Sequence, residues 1–73
     1  MTPHELRAAR KRLDLTLTQM AAMLGYGGEH QRQLAHDLET GRRVVREPQR
    51  RLIEAYLAGY RPPDWPLEAS GGR

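Results

Sequence analysis

The chain has 73 residues, a formal net charge of +3 and no cysteine. That length fits one small domain and leaves little room for a pocket, and the missing cysteines exclude disulfide staples and thiolate zinc sites. Nearly all the positive charge is arginine, with Lys11 the only lysine. The isoelectric point near 10.0 favours a polyanionic partner, although arginine-rich composition alone says little about where that partner would sit. No apolar run approaches the ~20 residues of a membrane span. The charged N-terminus MTPHELRAARKR is unlike a signal peptide. These features lead us to expect a cytoplasmic protein with no membrane association.

Thr2-Pro3-His4-Glu5 reads as a helix start. Thr2 takes the cap, Pro3 the first helical position, and Glu5 the place a capping box requires. Leu6, Ala9 and Leu13 follow as one apolar stripe. Arg7, Arg10, Lys11 and Arg12 fall mostly on other faces, open either to solvent or to phosphate. After Asp14 and Leu15, Thr16-Leu17-Thr18-Gln19 forms a second capping box. Met20, Met23 and Leu24 supply the next stripe. The small Ala21 would let another helix cross closely, and Gly25 would end this helix in the left-handed conformation.

Tyr26-Gly27-Gly28 reads as a turn. A phosphate-cradling loop is the weaker reading, because no strand precedes it and no Gly-Lys-Ser/Thr follows. A third helix is expected over Glu29 to Thr40, tied inward by Leu34, Ala35 and Leu38. Its polar residues would face outward, among them His30, Gln31, Arg32, Gln33 and His36. Arg42, Arg43 and Arg46 cluster in the following loop, which Val44 and Val45 would anchor to the core; a short helical turn near Val44 is allowed.

Glu47-Pro48 opens a fourth helix with a stripe of Leu52, Ile53, Tyr56 and Leu57, ended by Gly59. Pro62, Pro63 and Pro66 forbid helix beyond it. The expected organisation is therefore an all-α bundle of four to five helices over 1–59, an extended Pro/Trp tail over 60–67, and an end of disordered composition over 68–73. Tyr56, Leu57, Tyr60 and Trp65 would either complete the monomer or form a dimer interface.

Leu15 to Gly25, followed by Leu38-Glu39-Thr40-Gly41-Arg42, resembles the λ-repressor-like, or Xre-type, helix-turn-helix family. The likeness covers about 6–57. Thr16, Ala21, Gly25 and Leu38-Glu39-Thr40-Gly41 stand at that family's motif positions. The Leu-Gly-Tyr turn and the ending Ala-Gly-Tyr-Arg-Pro-Pro-Asp-Trp-Pro resemble short phage and proteobacterial regulators, including small repressors of the anti-CRISPR-associated kind. Two departures stand out. Leu17 replaces the glutamine that in this family holds a DNA phosphate. Tyr26-Gly27-Gly28-Glu29 lengthens the segment between Gly25 and Gly41.

The resemblance implies a homodimeric transcriptional repressor or autoregulator that binds a palindromic duplex operator, with the third helix in the major groove. On that reading Gln31 and Arg32 read bases, joined by His30, Gln33 and His36. Thr16, Thr18, Arg42, Arg43 and Arg46 contact the DNA backbone. For each of these residues the bland alternative is an exposed side chain that touches nothing, and Thr16 also serves as a cap. An antitoxin-like or adaptor module, or an RNA-binding regulator using the same basic face, are the competing expectations. His30 and His36 lie on different sides of a helix, so no metal site is expected. No catalytic constellation, cofactor or small-molecule ligand is evident.

Overall fold

The computed structural model describes residues 1–63. These form four helices and no strand: α1 (Pro3–Arg12), α2 (Leu17–Met23), α3 (Gln31–Thr40) and α4 (Glu47–Leu57). The all-α expectation holds, with four helices rather than five. Residues 42–46 contain no helical turn. The predicted tail from 64 onward and the expected disordered end lie outside the described residues. No helix among the described residues is long and apolar enough to cross a membrane.

Local chemistry sets most helix ends. The Thr2 hydroxyl accepts from the Glu5 N–H at 3.1 Å, and the Glu5 carboxylate accepts from the Thr2 N–H at 2.8 Å. That backbone hydrogen bond holds the Glu5 carboxyl below its ordinary pKa. Thr16 and Gln19 repeat the reciprocal pair at 3.0 and 2.9 Å. Both satisfy N–H groups that the first turn of a helix leaves without partners.

The helix C-termini share another device. At α2 the Tyr26 N–H donates to the Ala21 carbonyl and the Gly25 N–H to the Ala22 carbonyl. This is the Schellman arrangement, with Gly25 in the left-handed region at φ +95°. The end of α1 is built in the same way on Asp14, a non-glycine residue at φ +59°, and the end of α4 on Gly59. At α4, Arg61 adds its guanidinium, donating to the Tyr56 carbonyl at 2.8 Å. A cation at a helix C-terminus offsets the partial negative charge of the last carbonyls.

Gly25 and Gly27 make a controlled comparison. A Cβ would meet nothing within 4 Å at either position, but only Gly25 has a positive φ. Gly25→Ala is expected to lower stability by roughly 1–2 kcal/mol, the cost of a left-handed L-residue. Gly27→Ala should stay within about 0.5 kcal/mol of the parent. Equilibrium urea unfolding of the two variants separates backbone strain from crowding.

The core lies where the four helices meet. Leu6, Met20, Leu38 and Ile53 are fully enclosed, one from each helix, and Ala21 and Ala35 are also closed to solvent. α2 packs against α3, and α1 packs against both α3 and α4. The small Ala21 and Ala35, both at 0% exposure, allow a close α2–α3 approach. Val45 packs on the core as expected, but Val44 does not: it is 77% exposed. The loop is therefore pinned by one valine, not two.

Candidate nucleic-acid interface

The start of α3 differs from expectation. The helix begins at Gln31, so Glu29 and His30 belong to the turn. His30 occupies the cap position at φ −105° and makes no side-chain capping bond. Gly28, at φ +90°, carries the chain through the turn. The extra length of Tyr26-Gly27-Gly28-Glu29 thus goes into the loop and does not extend the helix.

The buried side of α3 also differs from expectation. Gln31, Ala35 and Leu38, spaced i, i+4 and i+7, form the buried side. Gln31 is only 8% exposed, and its Nε2 donates to the Tyr26 carbonyl at 2.8 Å. Its assignment as a base reader is corrected: the amide is spent holding the turn against α3, and a buried polar group needs such a partner. Leu34, expected inward, is only half-buried. Arg32, Gln33 and His36 are exposed along the other side, and His30 is exposed at the helix entrance. The Gln33 amide donates to the Asp37 carboxylate at 2.8 Å, one helical turn on. That bond orients its head group but leaves one N–H and the carbonyl oxygen available.

The backbone-contact residues divide similarly. Arg42, Arg43 and Arg46 are all exposed in the loop after α3. Arg43 lies over the Tyr26 ring, 5.9 Å from its centroid. This stacking joins the loop before α3 to the loop after it. Arg46 precedes α4, where its N–H donates to the Gln49 side-chain oxygen at 3.0 Å. Thr16 is engaged as a cap, and Thr18 is half-buried on α2.

Two residues outside the expected set fix α3 in space. Arg10 Nε lies 2.5 Å from Glu39 Oε2, its Nη2 reaches Glu39 Oε1 at 3.3 Å, and its Nη1 donates to the Leu15 carbonyl at 3.0 Å. The side chains are only 16% and 7% exposed. This fork-to-carboxylate pair ties α1 to the last turn of α3, and the Leu15 contact ties it to the α1–α2 connection. The sequence marks it only faintly: Arg10 is four residues after Leu6 and next to Ala9, beside the buried stripe rather than opposite it.

The aromatic residues expected at a subunit interface separate into two groups. Tyr56 is 4% exposed and belongs to the monomer core. Leu57 is half-buried against that core. Tyr60 is 49% exposed and meets Tyr56 edge-on, with ring centroids 5.5 Å apart. The interface assignment of Tyr56 is therefore corrected, because its ring is already covered by its own domain. Trp65 lies outside the described residues.

The class of protein defined by this geometry is a small all-α bundle that holds one helix with its polar side outward beside an arginine loop. Comparison with protein-family models, curated proteins and solved structures gives no significant match.

Proposed function

We propose that this chain is a sequence-specific, duplex-DNA-binding transcriptional regulator that inserts α3 into the major groove. The observation that carries this reading is the division of α3. Its inner side is locked by Ala35, Leu38, the Gln31 amide and the Arg10–Glu39 pair, while Arg32, Gln33 and His36 stand in solvent. A rigidly held helix with long hydrogen-bonding side chains on its free side is what direct base reading needs. Arg32 can bridge guanine O6 and N7, and Gln33, pre-oriented by Asp37, can address adenine. Arg42, Arg43 and Arg46 flank the same helix and would add sequence-independent affinity for phosphate. The resemblance to λ-repressor-like regulators supports the same assignment.

One domain of this size reads few base pairs, so the reading includes a homodimer on a palindromic operator, acting as a repressor or autoregulator. Its half-sites would lie about one turn, ~34 Å, apart. Leu57 and Tyr60 remain as interface candidates. The exposed Val44 and Tyr60 also favour a second reading, a protein-binding antitoxin or adaptor module, since exposed large apolar groups can mark interaction sites. Selection of bound sequences from a random duplex library tests the first reading. A palindromic consensus is expected; binding without any enriched sequence at physiological salt would sink it.

A further inference from the structure

Beside α3 runs a cleft of about 260 Å³ where α1, the start of α2 and the second half of α3 meet. It is lined by Arg7, Arg10, Leu17, His36, Glu39 and Thr40. Most of its polar equipment is already committed. Arg10 and Glu39 neutralise one another, and the Thr40 hydroxyl is within reach of the Asp37 carbonyl at 3.3 Å. Leu17 brings no donor. Arg7 remains, exposed and in no ion pair among the described residues, with the exposed His36 imidazole across the cleft.

Arg7 is also part of a ridge. His4, Arg7 and Lys11 stand at i, i+3 and i+7 along α1 and border an adjoining hollow with Ala8. Arg7 and Lys11 are like charges one turn apart, a spacing that costs a helix stability unless an anion lies between or above them. α1 supplies no such anion, because its one acid, Glu5, is engaged with the Thr2 backbone. Arg7 therefore belongs to two neighbouring depressions, one of which opens against the side of α3 that carries His36.

We infer that Arg7 and Lys11 form a phosphate clamp on α1, which seats the sugar-phosphate strand bordering the groove entered by α3. The inference rests on the DNA-binding reading above. The cleft contributes an apolar floor at Leu17 against which a deoxyribose can lie, and a cationic rim at Arg7 that takes the adjacent phosphodiester. Arg7 can meet two phosphate oxygens at once through its planar fork, whereas Lys11 acts as a point charge. Neither residue touches a base, so the clamp adds affinity and fixes the angle of α3 without changing which sequence is preferred.

The test measures binding of the full chain to its selected duplex from low to high salt, for the parent, Arg7→Ala, Lys11→Ala and Arg12→Ala. Arg12 serves as the control, since it lines a separate cleft between α1 and α4. Arg7→Ala is expected to weaken binding several-fold at physiological salt. It should also reduce the slope of log K against log salt by about one unit, the loss of one phosphate contact, with the consensus unchanged. Lys11→Ala should show a smaller effect in the same direction, and Arg12→Ala almost none. An unchanged slope in Arg7→Ala, or equal losses in all three variants, overturns the clamp while leaving the DNA-binding reading intact. A parent chain that selects no duplex, or that prefers structured RNA to it, overturns both. All three positions are exposed, so matching thermal melts are expected and confirm that the fold is intact.

Discussion

Replacing Glu39 with alanine is expected to remove a large part of the fold's stability. The change leaves the Arg10 guanidinium, 16% exposed and held between α1 and α3, with only the Leu15 carbonyl as a partner. Stranding one member of an enclosed ion pair costs about 3–5 kcal/mol; residual exposure of Arg10 puts the expectation at the low end, roughly 3 kcal/mol. A chain of this length has only about 4–11 kcal/mol of stability in total. The melting temperature should fall by roughly 12–24 °C. Arg10→Met should lose a similar amount, because it strands the carboxylate instead. Combining Arg10→Met with Glu39→Leu should recover most of the loss, since apolar groups of similar volume can replace an enclosed pair at little net cost. Thermal melts of Arg10→Met, Glu39→Leu and the double variant form the cycle. Additive losses would mean that the pair is merely adjacent and that other contacts orient α3.

This pair also marks how far the sequence alone could carry the fold. Thr2 with Glu5 and Thr16 with Gln19 declare their helix starts, because a capping box is a contact within four residues of chain. Gly25 and Gly59 declare their helix ends for the same reason: their left-handed conformation is a property of one residue and its immediate hydrogen bonds. Arg10 and Glu39 are 29 positions apart, and nothing local to either names the other. Asp14 illustrates a middle case. It performs the role of Gly25 at the end of α1, but Asp is a rarer occupant of that conformation and reads simply as a connection.

The site was less legible than the fold, and the reason lies in the turn. α3 starts without a side-chain cap, so no residue near Glu29 or His30 separates turn from helix. Among Glu29 to Gln33, Gln31 reads as one more polar residue on a polar segment. Its buried role follows from spacing instead: Gln31, Ala35 and Leu38, at i, i+4 and i+7, lie on one side of a helix. A glutamine at a core-facing position signals a backbone group that needs a donor, and here that group is the Tyr26 carbonyl. The lengthened turn thus supplies its own brace. Arg43 stacked on Tyr26 closes it from the other side, so the two loops bordering α3 are joined through one aromatic ring.

The two positions at the front of α3 should consequently respond in opposite ways. Arg32→Ala is expected to leave the melting temperature almost unchanged, because the side chain is exposed and bonds to nothing else among the described residues. It should lose about 1–3 kcal/mol of binding to the selected duplex, roughly 5- to 150-fold, and relax the preference at one base pair. Arg32→Lys should restore part of the affinity but not the preference, since an ammonium cannot reproduce the fork on guanine. Gln31→Ala should do the reverse. It leaves the Tyr26 carbonyl short of a donor and lowers stability by about 1 kcal/mol, while the consensus selected from random duplex stays the same. Selection and melts on the three variants decide the matter. A consensus that survives Arg32→Ala and changes with Gln31→Ala would mean that the turn, and not the exposed side of α3, reads the sequence.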